Sequence, residues 1–267
     1  MVGVKWSPMY IDSHCHINFP ELAARLPEIF SKMAENQVTH ALCVSVDLPD
    51  FPQIRELAEN YPHIYASVGV HPDYEETPEP SVDELVRLSE HPKVVAIGET
   101  GLDYYRLQGD LEWQRERFRT HIRASRATGK PLIIHTRSAS EDTIRIMREE
   151  GAGTNAGGAG GVMHCFTESL DVAEAAIDMG FYISFSGIVT FKSAKDLQAV
   201  ARAVPLERTL IETDSPYLAP VPFRGKMNEP GFVRHVAEFL ATLKGMPLDQ
   251  VAQQTTENFF NLFKLTR

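Results

Sequence analysis

The run Asp12-Ser13-His14-Cys15-His16 sets two imidazoles two residues apart. On an extended strand, side chains at i and i+2 share a face, so His14 and His16 point one way and Cys15 the other. Three further runs end in a metal-capable group: Ala96-Ile97-Gly98-Glu99, Leu132-Ile133-Ile134-His135 and Val162-Met163-His164. A last one leads into Glu212-Thr213-Asp214. His14, His16, Glu99, His135, His164 and Asp214 together form an imidazole–carboxylate set that suits Zn²⁺, Mn²⁺, Co²⁺ or Fe²⁺. Six candidates exceed the three protein ligands of a typical single catalytic zinc, which leaves room for a second ion. A carboxylate can bridge two ions through its two oxygens, and Glu99, central in strand order, is the candidate bridge. A lone His at a strand end is more often a hydrogen-bonded structural residue. The expectation of a metal centre rests on convergence of all six.

Cys15 and Cys165 adjoin these residues, but strand alternation turns both away from the interior. With Cys43 they are expected to be small apolar core residues. Asp12 and Glu212 share the inward parity of their neighbours. Each is expected either to orient a ligand imidazole or to be a satisfied core polar group.

Convergence needs a scaffold that brings distant strand ends together. Strand-like runs occupy 10–16, 40–46, 64–70, 94–99, 132–135, 161–164, 182–185 and 209–212. Helical patterns fall near 20–36, 50–60, 81–90, 112–128, 140–150, 169–179, 193–203 and 229–244, with one more near 247–264. Strands that alternate with helices imply parallel βαβ units. Eight such units predict an α/β protein of the TIM-type (β/α)₈ barrel kind, one domain over residues 1–267, with an extra C-terminal helix. Active sites of this fold lie at the C-terminal ends of the strands, where the candidate ligands are. Segment 151–161 holds six glycines and no charge, and is expected to be a mobile inserted loop.

The chain has 267 residues, 43% apolar and 23% charged, enough for a large core and against intrinsic disorder. No stretch approaches the 18 uncharged apolar residues of a membrane span. The segment MVGVKWSPMYIDSHCH does not read as a secretory signal, and an odd count of three cysteines excludes a disulfide scaffold. The expectation is a reduced, cytoplasmic protein, monomeric and without an obligate protein partner. A net charge of −10 argues against coating nucleic acid by charge alone, but not against holding a phosphodiester through metal ions.

The runs DSHCHI, GVHP, IGETGLDYY, IHTR, MHCF and ETDSPYLAPVPFRGKMNEP resemble those of the TatD family of metal-dependent deoxyribonucleases, in the amidohydrolase superfamily. The resemblance extends from Tyr10 to Phe259. It implies a TIM-like barrel with two divalent ions, one held by His14, His16, Glu99 and Asp214, the other by Glu99, His135 and His164. Zn²⁺, Mn²⁺, Mg²⁺ and Co²⁺ all stay open as their identity. Two departures stand out: Glu168 follows Thr167 where a glycine is common, and segment 151–161 is long. Both are expected to bear on substrate access.

The expected reaction is hydrolysis of DNA by a hydroxide that two metals activate, with Asp214 as general base and Glu99 as bridge. DNA or an oligonucleotide is the expected partner, attacked from an end of a single strand because no long basic track is evident. His71, Arg137, Tyr104, Arg224 and Lys226 are the candidates for holding it, the cationic ones through phosphate and the tyrosine by stacking. The alternative is hydrolysis of a C–N, lactone or ester bond in a small molecule or nucleic-acid adduct.

Overall fold

The computed structural model describes residues 9–266, so the reading of the amino-terminal segment over 1–8 lies outside the described residues. Eight parallel strands form one sheet in sequence order: β1 (Tyr10–Cys15), β2 (Val38–Cys43), β3 (Ile64–Val68), β4 (Val94–Asp103), β5 (Leu132–Arg137), β6 (Gly161–Met163), β7 (Tyr182–Phe185) and β8 (Thr209–Ile211). Helices separate them: α1 (Pro20–Ala23), α2 (Leu26–Glu35), α3 (Phe51–Asn60), α4 (Val82–Leu88), α5 (Glu112–Thr128), α6 (Ser140–Glu149), α7 (Leu170–Asp178) and α8 (Lys195–Ala203). Two more, α9 (Val233–Lys244) and α10 (Leu248–Leu262), follow β8. This is the (β/α)₈ barrel that the alternation predicts.

The β8–β1 seam closes through the chain just beyond β8. The Asp214 amide donates to the His14 carbonyl at 2.9 Å, and the His16 amide to the Ser215 carbonyl at 2.9 Å. Asp12 completes the tie. Its carboxylate accepts from the Thr213 amide at 2.8 Å, the Thr213 hydroxyl at 2.5 Å and the His14 amide at 3.3 Å. Asp12 is therefore a satisfied core group that locks the seam, and it touches no ligand imidazole.

The C-terminal helix seals the far end. Phe259, Phe260, Leu262 and Phe263 pack with Ile11, Leu42, Val95, Ile133, Val162 and Leu210 of six strands in one apolar cluster. Asn258 anchors α10 by donating to the Leu206 and Thr209 carbonyls, each at 2.8 Å. Water is excluded from one mouth, and the C-terminal mouth is left for the site.

Three local expectations change. The first expected helix is two, α1 and α2, with Pro27 in the opening turn of α2. Proline has no N–H for the i−4 carbonyl, so a continuous helix would leave that carbonyl unpaired. Strand β4 runs four residues further than expected, since Asp103 still pairs with Arg137 of β5. Segment 151–161 is a bonded turn, with a 3₁₀ turn at Thr154–Ala156 and Arg126 donating to the Gly151 and Ala156 carbonyls. It precedes β6, so it lies at the end opposite the candidate site and has no bearing on access there. No helix among the described residues is long and apolar enough to cross a membrane.

Candidate metal centre

Glu99 is the midpoint of the site, and its two oxygens face different neighbours. Oε2 lies 3.2 Å from His14 Nε2 and 4.0 Å from His16 Nε2. Asp214 Oδ1 is 3.6 Å from the first nitrogen and 3.4 Å from the second, and the two nitrogens are 3.2 Å apart. Donors at 2.0–2.2 Å around a tetrahedral ion sit about 3.3–3.6 Å apart, so this group has the spacing of a coordination shell. Oε1 faces His164 Nε2 at 2.7 Å, His71 Nε2 at 3.2 Å and His135 Nδ1 at 3.4 Å.

Each imidazole is aimed through its other nitrogen, with one exception. His16 Nδ1 lies 3.0 Å from the Val44 carbonyl. His135 Nε2 lies 2.9 Å from Asp103 Oδ2. His164 Nδ1 lies 3.2 Å from Glu212 Oε1, which also accepts the Cys165 amide at 2.7 Å. His71 Nδ1 pairs with Asp73, whose other oxygen takes Arg106 at 3.0 Å. A carboxylate or carbonyl on one ring nitrogen frees the other as a ligand. His14 Nδ1 is the exception, buried without a partner.

The backbone brings Glu99 to this point. Its amide donates to the Ser45 carbonyl at 2.8 Å, which ties β4 past β3 to the chain just beyond β2. Gly98 has φ +147°, and a Cβ there would stand 2.7 Å from the Ile133 carbonyl oxygen, so no other residue lets β4 approach β5 this closely.

The electrostatics fit a cation. Burial pushes the Glu99 carboxyl up, but His164, His71 and His14 outweigh it and hold it well below the usual range. Burial also opposes charge on His71, yet Glu99 and Asp73 carry it up to about 9. Burial raises the Asp103 carboxyl, and His135 with the Arg106 and Tyr105 amides brings it down to about 2. His164 Nε2 is buried and lies close to Glu99 without hydrogen-bond geometry, as expected of two donors converging on a third atom. The nitrogen and oxygen donors present fit one or two divalent ions.

A cleft of about 430 Å³ opens over these groups, lined by His16, His71, Glu99, His135, His164 and Asp214 among others. Arg137 lines it too, its guanidinium 3.8 Å from the Tyr105 ring centroid. Tyr104 does not. Its hydroxyl donates to Asp142 at 2.6 Å and accepts from Arg115 at 3.0 Å, so it is held under the loop and is no base platform. Arg224 and Lys226 are exposed on the β8 loop outside the cleft lining, over the rings of Phe191 and Phe223 at 4.3 and 5.7 Å.

The cysteines divide. Cys15 and Cys43 are fully buried, as expected. Cys165 instead lines the cleft, with Sγ 3.2 Å from the Ser186 hydroxyl. Strand β6 ends at Met163 and Cys165 has φ +42°, so alternation no longer governs where it points.

Sequence reasoning missed two features. Phe19 stacks on His16 at 4.8 Å, and Tyr217 meets Phe19 edge-on at 6.4 Å, forming one wall of the cleft. Helix α5 also carries a buried polar stripe of Gln114, Arg117 and His121. Arg117 donates to the His71 and Tyr74 carbonyls, Gln114 to the Pro72 carbonyl, and His121 Nε2 accepts the Val70 amide. This stripe clamps the loop that carries His71. Its 3.6-residue spacing is visible in the sequence, but its residue types suggest a solvated face.

The family model described as TatD related DNase matches residues 11–264. The Escherichia coli K12 protein YcfH, described as an uncharacterized metal-dependent hydrolase, is 46% identical over 258 residues, 96% of each chain. YabD of Bacillus subtilis, described in the same words, is 43% identical over 258 residues, 96% of this chain and all of its own. The crystal structure of YjjV, a TatD homolog from Escherichia coli, superposes with a TM-score of 0.88 at 29% identity, covering 96% of this chain and 98% of that one. On the extent of the family match and the identity to these hydrolases, the chain belongs to the TatD family of metal-dependent hydrolases.

Proposed function

We propose that the chain is a two-metal deoxyribonuclease that removes nucleotides from an end of single-stranded DNA. The observation that carries this reading is the division of Glu99 between two donor groups, Oε2 toward His14 and His16 and Oε1 toward His164 and His135. In this reading His14, His16, Glu99 and Asp214 hold one ion, and Glu99, His135 and His164 hold the other. Divalent ions so bound supply Lewis acidity and lower the pKa of water.

The chain's own groups do the rest. Burial pushes the Asp214 carboxyl up, but the hydrogen bond from His16 and the charges of His14 and His164 hold it below the usual range. Asp214 thus enters the reaction ionised, lining the cleft, and accepts the proton of the attacking water. One P–O bond forms to that water oxygen and one breaks to the departing sugar oxygen. His71 lines the cleft with Nδ1 held by Asp73, so its Nε2, 3.2 Å from Glu99 Oε1, is the one nitrogen that can turn to a phosphate oxygen. Arg137, which pairs with no carboxylate among the described residues, gives the cleft a free cation, which supports a phosphodiester over a neutral amide or lactone.

The test is hydrolysis of an end-labelled single-stranded oligonucleotide by metal-stripped protein titrated with Mg²⁺, Mn²⁺, Co²⁺ and Zn²⁺. A metal-dependent ladder that is lost in Glu99→Ala and Asp214→Asn is the expected result. No cleavage by protein shown to hold metal overturns the nuclease reading in favour of a carbonyl substrate, to be sought among amides, lactones and esters.

A further inference from the structure

The cleft has two unlike walls. Arg106 follows β4 and Arg137 ends β5, so both cations stand on the β4–β5 side. Phe19 follows β1, Ile188 follows β7, and Tyr217 and Leu218 follow β8. In a closed ring of eight strands taken in order, the β8–β1 seam faces the β4–β5 seam. A cationic wall therefore opposes an aromatic one, with Glu99 and Asp214 on the floor between them.

Both walls present groups free to bind. Arg137 pairs with no carboxylate among the described residues; its guanidinium carbon stands over Tyr105, 3.8 Å from the ring centroid, so its N–H groups are available to a ligand. Tyr217 is 55% exposed although it adjoins a buried centre. The large apolar side chains that are most exposed among the described residues are Tyr105, Tyr217, Val221 and Met227. All four lie in loops after β4 or β8, on the face that carries the cleft. Scattered exposure would place some elsewhere.

We propose that the cleft reads the end of a nucleic-acid strand by polarity: the terminal nucleobase stacks on Tyr217 and meets Phe19 edge-on, and the phosphate beyond the scissile one sits on Arg137. This deepens the nuclease reading above and rests on it. A nucleotide has the matching asymmetry, an apolar planar base at one end and an anion at the other. Every base has a π-face, and the wall of Phe19, Ile188, Tyr217 and Leu218 carries no amide or charged side chain to read a base edge. The subsite is therefore tolerant of sequence but demands a base.

The experiment compares the metal-loaded protein on oligonucleotides with an intact terminal nucleotide and with an abasic tetrahydrofuran residue there, at each end in turn. Wild type is expected to show a KM roughly tenfold higher for the abasic substrate at one end, the size of a single base–aromatic stack. That end gives the polarity of attack. Tyr217→Ala is expected to erase the difference between the two substrates, and Tyr217→Phe to restore it. Arg137→Ala is expected to reduce the slope of log KM against log salt by about 0.7, as loss of one single-strand phosphate contact requires. Equal KM for intact and abasic ends overturns the stacking subsite and leaves the nuclease reading standing. An unchanged salt slope overturns the role of Arg137. No cleavage of any oligonucleotide overturns the nuclease reading and the subsite with it.

Discussion

Glu212 reaches His164 across the β6–β8 gap, Oε1 to Nδ1 at 3.2 Å, while the same oxygen accepts the Cys165 amide at 2.7 Å. One carboxylate thus fixes both the ring of His164 and the turn that follows it. Its other oxygen, Oε2, is buried without a hydrogen-bond partner. Glu212→Gln keeps the size of the side chain and removes its charge. It is expected to weaken metal binding 10- to 100-fold, the usual cost of losing the partner behind a ligand imidazole. A fluorescent chelator competition with Zn²⁺ measures this, and thermal unfolding of the stripped variant shows whether the fold survives. Equal affinity in wild type and variant would remove Glu212 from the account of the site.

Arg117 stands behind the His71 loop with its side chain 1% exposed, whereas its partner Glu79 is half-exposed. The two are not equivalent. Losing Arg117 strands the His71 and Tyr74 carbonyls, while losing Glu79 leaves Arg117 with both. Arg117→Met is expected to cost about 3 kcal/mol, and Glu79→Gln, which keeps one acceptor for the buried guanidinium but removes its counter-charge, about 1–2 kcal/mol. Urea unfolding of both variants gives the comparison, and a reversal of the order would show that the ion pair, not the carbonyl clamp, holds the loop.

His121 makes the same clamp pH-sensitive. Burial drives its pKa down to about 4, and the Arg117 carbonyl offsets this only in part. In the folded protein the ring is neutral and accepts the Val70 amide at 3.0 Å. The unfolded chain, with an ordinary His pKa near 6.5, binds the proton first as pH falls. Stability from this group is therefore complete above about pH 6.5 and is lost as pH falls toward 4, by about 3 kcal/mol. His121→Gln is expected to flatten that fall relative to wild type. Urea unfolding at pH 7, 6 and 5 for both proteins measures the difference, and parallel curves would sink the assignment.

The parts legible in the sequence are those that a strand period and a strand end determine. Alternation put His14 and His16 on one face, and the apolar runs before Glu99, His135 and His164 located the strands that carry them, although β4 and β5 run on past Glu99 and His135 to Asp103 and Arg137. A parallel barrel then leaves little freedom in where those ends meet. Parity fails two residues past the strand, and Cys165 shows it. His71 is legible as a candidate for holding substrate, yet its Nε2 lies against Glu99, a distance that depends on the α5 clamp. Gln114, Arg117 and His121 hide in plain pattern, because a buried polar stripe and a solvated one have the same composition. Tyr217 sits outside any element, where no periodicity assigns a direction.

Gly98 offers the sharpest test of how the backbone builds the site. Gly98 and Gly109 both have positive φ, +147° and +99°. A Cβ at Gly109 meets nothing within 4 Å, whereas one at Gly98 would stand 2.7 Å from the Ile133 carbonyl oxygen. Gly109→Ala therefore isolates the backbone strain, expected at about 1 kcal/mol, and Gly98→Ala adds a collision between β4 and β5. Gly98→Ala is expected to cost more than about 3 kcal/mol, because neither strand can shift without breaking the β4–β5 ladder. Such displacement as the barrel allows moves Glu99 away from His14 and His164. The variant should therefore bind metal more weakly even below its unfolding temperature, while Gly109→Ala binds as wild type does. Unfolding curves and equilibrium dialysis against Mn²⁺ on both variants decide the matter. Equal behaviour of the two would show that the approach of β4 to β5 is not what places Glu99 at the centre.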